Sequence, residues 1–151
     1  MPPILLTNKK EMNMTTPRPA SARLPKIHLD QSLVGRLEAL AASVMRRSPD
    51  VGERLIDEIA RARLVAPDKM RGDVVTIGSE VTYRDLGMDR QHSVTLVYPE
   101  DADIDRGRIS VLTPVGVALL GLSPGATIFW TTRDDEKRHL EVLAVKPPGA
   151  A

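Results

Sequence analysis

Cysteine is absent from this sequence of 151 residues, which removes disulfide bridges, zinc-thiolate centres and cysteine nucleophiles from consideration. A reducing compartment fits that absence, so a cytoplasmic location is the expectation. Aromatic residues are scarce: Tyr83, Tyr98, Phe129 and Trp130 are the whole set. The core must therefore be built from Leu, Val, Ile and Ala, and a cavity walled by stacked rings is not expected. No apolar run approaches membrane-spanning length, and Pro3–Thr7 is too short for a signal-peptide core and is followed, not preceded, by Lys9 and Lys10. No membrane partner is expected.

Neither sign of charge dominates, since the formal net charge is +1, but charge is unevenly placed. Residues 1–65 carry about +4 and residues 66–151 about −3. The imbalance argues for two modules. The basic residues Lys9, Lys10, Arg18, Arg46, Arg47, Arg61 and Arg63 are scattered, whereas a nucleic-acid footprint is a dense stripe. Direct DNA binding is not expected.

What the chain does contain falls into three parts. Residues 1–25 mix Pro, Thr, Ser, Lys and Arg without apolar periodicity, and the expectation is a disordered segment, because it buries too little to offset the entropy of ordering. Leu33, Leu37, Leu40, Ala41 and Val44 then recur at helical spacing, predicting a helix over about 31–47 that Asp30 caps. Ser48–Pro49–Asp50 interrupts it, and Val51, Leu55, Ile59 and Ala62 form a second stripe ending before Pro67. Residues 26–66 thus read as an antiparallel helical hairpin, a short coiled coil. From 67 to 147 the period becomes extended. Val74–Ile77, Glu80–Arg84, His92–Val97, Arg108–Val111, Thr127–Trp130 and Leu140–Val145 read as strands, with one short helix opened by Thr113–Pro114 and closed by Gly121. The fold class is α+β, the hairpin being followed by an antiparallel sheet with one helix packed on it.

Few motifs bear on chemistry. Asp101, Asp103 and Asp105 alternate as in the start of an EF-hand loop, but Arg106 stands where the turn needs Gly and Leu112 where the bidentate Glu belongs. His28, His92 and His139 show no metal or dyad spacing. Gly116 and Gly121 lack the Lys-Ser/Thr that completes a phosphate loop. No cofactor is expected. Asp50 and Glu53 are the acidic pair of most interest, because between two helices they would stand at a hairpin tip, where two carboxylates can hold Mg²⁺. Against this, Asp50 as N-cap with Glu53 three residues on is a capping arrangement, and that is the preferred reading.

Val74–Thr76 with Ser79–Val81, Thr95–Pro99, Ile109–Gly116, and Ala118–Leu122 with Gly125 resemble the carboxyl domain of the Gre transcript-cleavage factor family, with the Rnk branch, named as regulators of nucleoside diphosphate kinase, the nearest match. The resemblance implies an FKBP-like carboxyl domain that binds RNA polymerase at the rim of its secondary channel, with the hairpin directed at the channel. It implies a partner-binding segment at Ser110, Leu112, Thr113 and Pro114, although Leu112 replaces the polar residue usual in cleavage factors. It implies no enzyme. A monomer that regulates transcription, competing with longer channel-binding factors, is the expectation.

Two alternatives accompany it. Gre cleavage factors place an Asp-x-x-Glu pair at the tip of a long coiled coil to secure Mg²⁺, and Asp50 and Glu53 match that pattern, which allows an active transcript-cleavage factor. A helix of about 17 residues rises only about 25 Å, however, so the pair should stop short of the polymerase active site. Prolyl isomerase activity rests on the FKBP-like fold alone, and fold does not imply function.

Overall fold

The computed structural model describes residues 24–131 and 134–149. The expectation for 1–25 falls almost entirely on residues outside that range.

The chain enters through strand β1 (His28–Asp30). The Asp30 carboxylate accepts from the Ser32 amide at 2.9 Å and from its hydroxyl at 2.7 Å, which starts a 3-10 turn over Gln31–Leu33 that runs into helix α1 (Val34–Val44). Leu37, Ala41 and Val44 are the buried face of α1, as the spacing predicts. Helix α2 (Pro49–Arg61) buries Val51, Leu55 and Ile59. Its N-cap is Ser48, not Asp50: proline takes the first helical position, where its missing N–H costs nothing, and this moves Asp50 inside the first turn. The expected capping role of Asp50 is thereby corrected; as an acid in the first turn it still complements the positive end of the helix dipole.

The two helices touch closely because position 52 is glycine. A Cβ there would lie 2.8 Å from Met45 Sδ and 2.9 Å from the Ala41 carbonyl oxygen. Glu58, a buried carboxylate on α2, is matched by Arg61, whose Nη2 stands 2.7 Å from it. Strand β2 (Arg63–Val65) follows and pairs parallel with β1, a small ladder that the sequence reading does not anticipate.

The remaining strands are β3 (Glu80–Asp85), β4 (Arg90–Val97), β5 (Arg108–Ser110), β6 (Thr127–Thr131) and β7 (Lys137–Lys146), joined in the order β5-β4-β3-β7-β6. The sheet is mixed rather than antiparallel. β4 and β5 run parallel, since the chain between them turns through two short 3-10 segments and returns along the same direction after Gly107, at φ +71°. Val74–Ile77 is not a strand either. Val74 and Val75 are buried in a loop in which the Val75 amide donates to the Leu122 carbonyl at 2.9 Å and its carbonyl accepts from Gly121 at 2.8 Å. Gly78, at φ +95°, then turns the chain into β3.

Helix α3 (Pro114–Leu119) lies within the core, with Val117, Ala118 and Leu119 buried. One apolar cluster unites Leu37, Ala41, Leu55 and Ile59 of the helices with Val81, Leu96, Ile128, Leu140 and Val142 of the sheet. The junction is tied by backbone as well: the His28 amide donates to the Gly121 carbonyl at 3.2 Å, and Arg63 to Ile27 at 3.0 Å.

Candidate docking site

The turn from β5 into α3 is built by two hydroxyls. Ser110 Oγ accepts from the Leu112 amide at 2.9 Å, while Thr113 Oγ1 donates to the Ser110 carbonyl at 2.8 Å and accepts from the Gly116 amide at 3.0 Å. Thr113 is thus a true N-cap, and Pro114 at the first helical position completes the start. Gly116 is demanded by closeness, since a Cβ there would stand 2.2 Å from the Ser110 carbonyl oxygen.

This turn forms one wall of a groove of about 450 Å³ lined by Ser110, Thr113, Pro114 and Val115, with Ile104, Ile109, Tyr83 and Trp130 among its apolar lining. Ile104 is 85% exposed, which makes it the natural first contact for an apolar partner. Arg108 and Arg138 add positive charge to the lining. Arg138 is held by Asp85 at 3.3 Å and Glu136 at 3.7 Å, and Asp85 also accepts from the amides of Gly87 and Met88, which fixes the β3–β4 turn. Tyr83, stacked on His92, has its phenol pKa raised, first by burial and then by the Asp85 charge, with Arg138 opposing.

Of the four residues that the sequence nominates here, Ser110, Thr113 and Pro114 line the groove and Leu112 does not; Leu112 is half-buried against the core. Asp50 and Glu53 are exposed on the first turns of α2. Asp50 lines a second hollow of about 260 Å³ together with Arg47, Arg54, Pro114 and Trp130. Asp50 therefore stands beside the carboxyl half of the chain, while Glu53 lines neither hollow. The aspartates of the 101–105 loop form two short turns in which Asp103 faces Arg106 at 3.6 Å. Among the described residues no group of three or more His, Cys, Asp or Glu is placed to hold a metal ion, and no helix is long and apolar enough to cross a membrane.

Sequence reasoning missed Arg54, Tyr83, Trp130 and Arg138. Arg54 Nη1 donates to the Pro114 carbonyl oxygen at 3.2 Å and its guanidinium lies 4.9 Å from the centre of the Trp130 ring. Only the rarity of tryptophan pointed to any of them.

Comparison with known proteins agrees with this architecture. Residues 69–147 match the family model for the transcription elongation factor GreA/GreB C-terminal region, and residues 25–65 match that for the Rnk N-terminus. The "Regulator of nucleoside diphosphate kinase" of Escherichia coli strain K12 is 34% identical over 122 residues, covering 81% of this chain and 90% of that protein. "Transcription elongation factor GreA" of Acidiphilium cryptum is 33% identical over 88 residues, and the match spans 58% of this chain and 55% of that factor. Among solved structures, a "Prokaryotic transcription elongation factor GreA/GreB from Nitrosomonas europaea" superposes with a TM-score of 0.62 at 34% identity, over 81% of this chain and 98% of that one. The chain therefore belongs to the bacterial Rnk-type regulators of nucleoside diphosphate kinase, related to the Gre transcript-cleavage factors through its carboxyl half.

Proposed function

We propose that this protein is a transcription regulator that docks on RNA polymerase at the rim of the secondary channel and competes there with Gre factors. The observation that carries the reading is the location of the groove: Ser110, Thr113 and Pro114 line it, and they fall within residues 69–147, the stretch that matches the GreA/GreB C-terminal family. On this reading residues 67–147 are an FKBP-like docking domain and residues 26–66 an antiparallel helical hairpin directed at the channel. The effect on nucleoside diphosphate kinase, for which the Escherichia coli relative is named, then runs through transcription.

The geometry favours occupancy of the channel entrance over transcript cleavage. Helix α2 has 13 residues and rises about 20 Å. Asp50 shares a hollow with Pro114 and Trp130, so it is beside the proposed docking domain and not extended far beyond it. Ser110, Leu112, Thr113 and Pro114 are the proposed contact segment, and Leu112 contributes by supporting the turn from below.

Immobilised full-length chain should retain core RNA polymerase, and an excess of a Gre factor should release it. Polymerase that passes unretained contradicts the reading. Shortening of RNA in backtracked complexes, lost in Asp50→Ala, would establish cleavage in its place.

A further inference from the structure

The hollow beside α2 and the groove beside β5 share two lining residues, Pro114 and Trp130, which form a ridge between them. The groove side of that ridge is lined by the carboxyl half alone, whereas the hollow joins Asp50 and Arg54 of α2 to Thr131 and Asp134. Arg54 reaches the ridge from α2 and touches both of its members.

We infer that the docking surface spans both halves of the chain, and that Arg54 is the positioning residue that sets its ridge, through the hydrogen bond to the Pro114 carbonyl oxygen and the placement of its guanidinium over the Trp130 ring. This rests on the docking reading above and names RNA polymerase as the occupant.

Three observations support it. The Trp130 indole nitrogen is buried and has no hydrogen-bond partner among the described residues, where packing and cations hold the ring instead. A second guanidinium, that of Arg138, lies 6.0 Å from the ring centre and is tethered by Asp85, so the indole contacts a cation from α2 and another from β7. Burial lowers the Arg54 pKa while Glu58 opposes the shift, the signature of a cation taken out of water. An arginine suits this place for two reasons, its planar face for the indole and its fork of donors for the carbonyl, and lysine supplies neither in the same geometry.

Trp130 is the only tryptophan in the chain, so tryptophan emission from the free protein reports the ridge alone. The experiment compares full-length wild type, Arg54→Ala, Arg54→Lys and Arg46→Ala. Arg46 is exposed and lines neither hollow, so Arg46→Ala controls for loss of positive charge. Emission is recorded for each free chain, and affinity for core RNA polymerase is measured by surface binding. Both Arg54 variants should change Trp130 emission and weaken polymerase binding by about five- to tenfold, the size of a lost cation–π contact with its hydrogen bond, while Arg46→Ala matches wild type. If Arg54→Ala does not fold, Arg54→Lys decides alone. An Arg54→Lys variant that matches wild type in both measurements overturns the inference, because charge alone would then suffice. Altered emission with unaltered affinity also overturns it and leaves the docking reading standing. Wild-type chain that fails to bind polymerase overturns the docking reading itself.

Discussion

Gly116 approaches Ser110 so closely that a Cβ at position 116 would stand 2.2 Å from the Ser110 carbonyl oxygen and 2.9 Å from the Val111 Cα. Both obstacles are backbone and cannot rotate away. Gly116→Ala, usually favourable inside a helix, should here destabilise the protein by about 1–3 kcal/mol as the turn is forced open. Urea unfolding of the variant checks the sign. An unchanged or raised midpoint would mean that the β5–α3 turn is looser than its geometry.

The two helix caps at proline-led starts should respond differently. Thr113→Val removes the oxygen that accepts from Gly116 and donates to Ser110, and should cost about 1–2 kcal/mol. Ser48→Ala removes a side chain that makes no capping bond, and should stay within about 0.5 kcal/mol of wild type. Thermal melts of the pair check the contrast, and equal losses would contradict it.

Gly52 sits inside α2, where alanine ordinarily gains about 1 kcal/mol. Its missing Cβ is what admits Met45 and the Ala41 carbonyl. Gly52→Ala should therefore destabilise the chain, and Met45→Ala in the same molecule should recover only part of the loss, because the carbonyl contact remains. A double-mutant cycle on unfolding free energies measures this. Full recovery would place the whole conflict on the methionine.

Leu55 is wholly buried, in the cluster that joins helices and sheet. Leu55→Ala should cost about 2–5 kcal/mol. Because the core is shared, helical circular dichroism and Trp130 emission should lose their signals at one midpoint. Separate midpoints would mean that the helices unfold independently of the sheet.

Much of this architecture is legible in the sequence where the signal is periodic. The spacing of Leu37, Ala41 and Val44, and of Val51, Leu55 and Ile59, gives the buried faces of α1 and α2 directly. Thr113 and Pro114 announce the start of α3 by their chemistry. Three-residue strands such as β1 and β2 carry too few positions to show a period, and the parallel β4–β5 pair depends on a crossover that local pattern does not encode. Val74–Ile77 reads as strand because it is rich in β-branched residues, but Val75 pairs its backbone groups with Gly121 and Leu122 in a loop. Asp50 reads as a cap until Pro49 takes the first helical position. At the groove, Ser110, Thr113 and Pro114 are nominated by the family resemblance, which a single short segment of the sequence carries. Arg54, Tyr83, Trp130 and Arg138 are not, because they come from α2, β3, β6 and β7 and meet only in the fold.

On the proposed docking reading, polymerase binding resides chiefly in the carboxyl half. The most direct measurement is the affinity of core RNA polymerase for two folded double variants, one replacing Thr113 and Pro114 and the other replacing Asp50 and Glu53, with circular dichroism confirming that both retain structure. The Thr113/Pro114 variant is expected to bind more weakly than the Asp50/Glu53 variant, since its residues line the groove that carries the proposed contact. Loss of binding in the Asp50/Glu53 variant with full binding in the Thr113/Pro114 variant would make the helices the docking element and contradict the assignment.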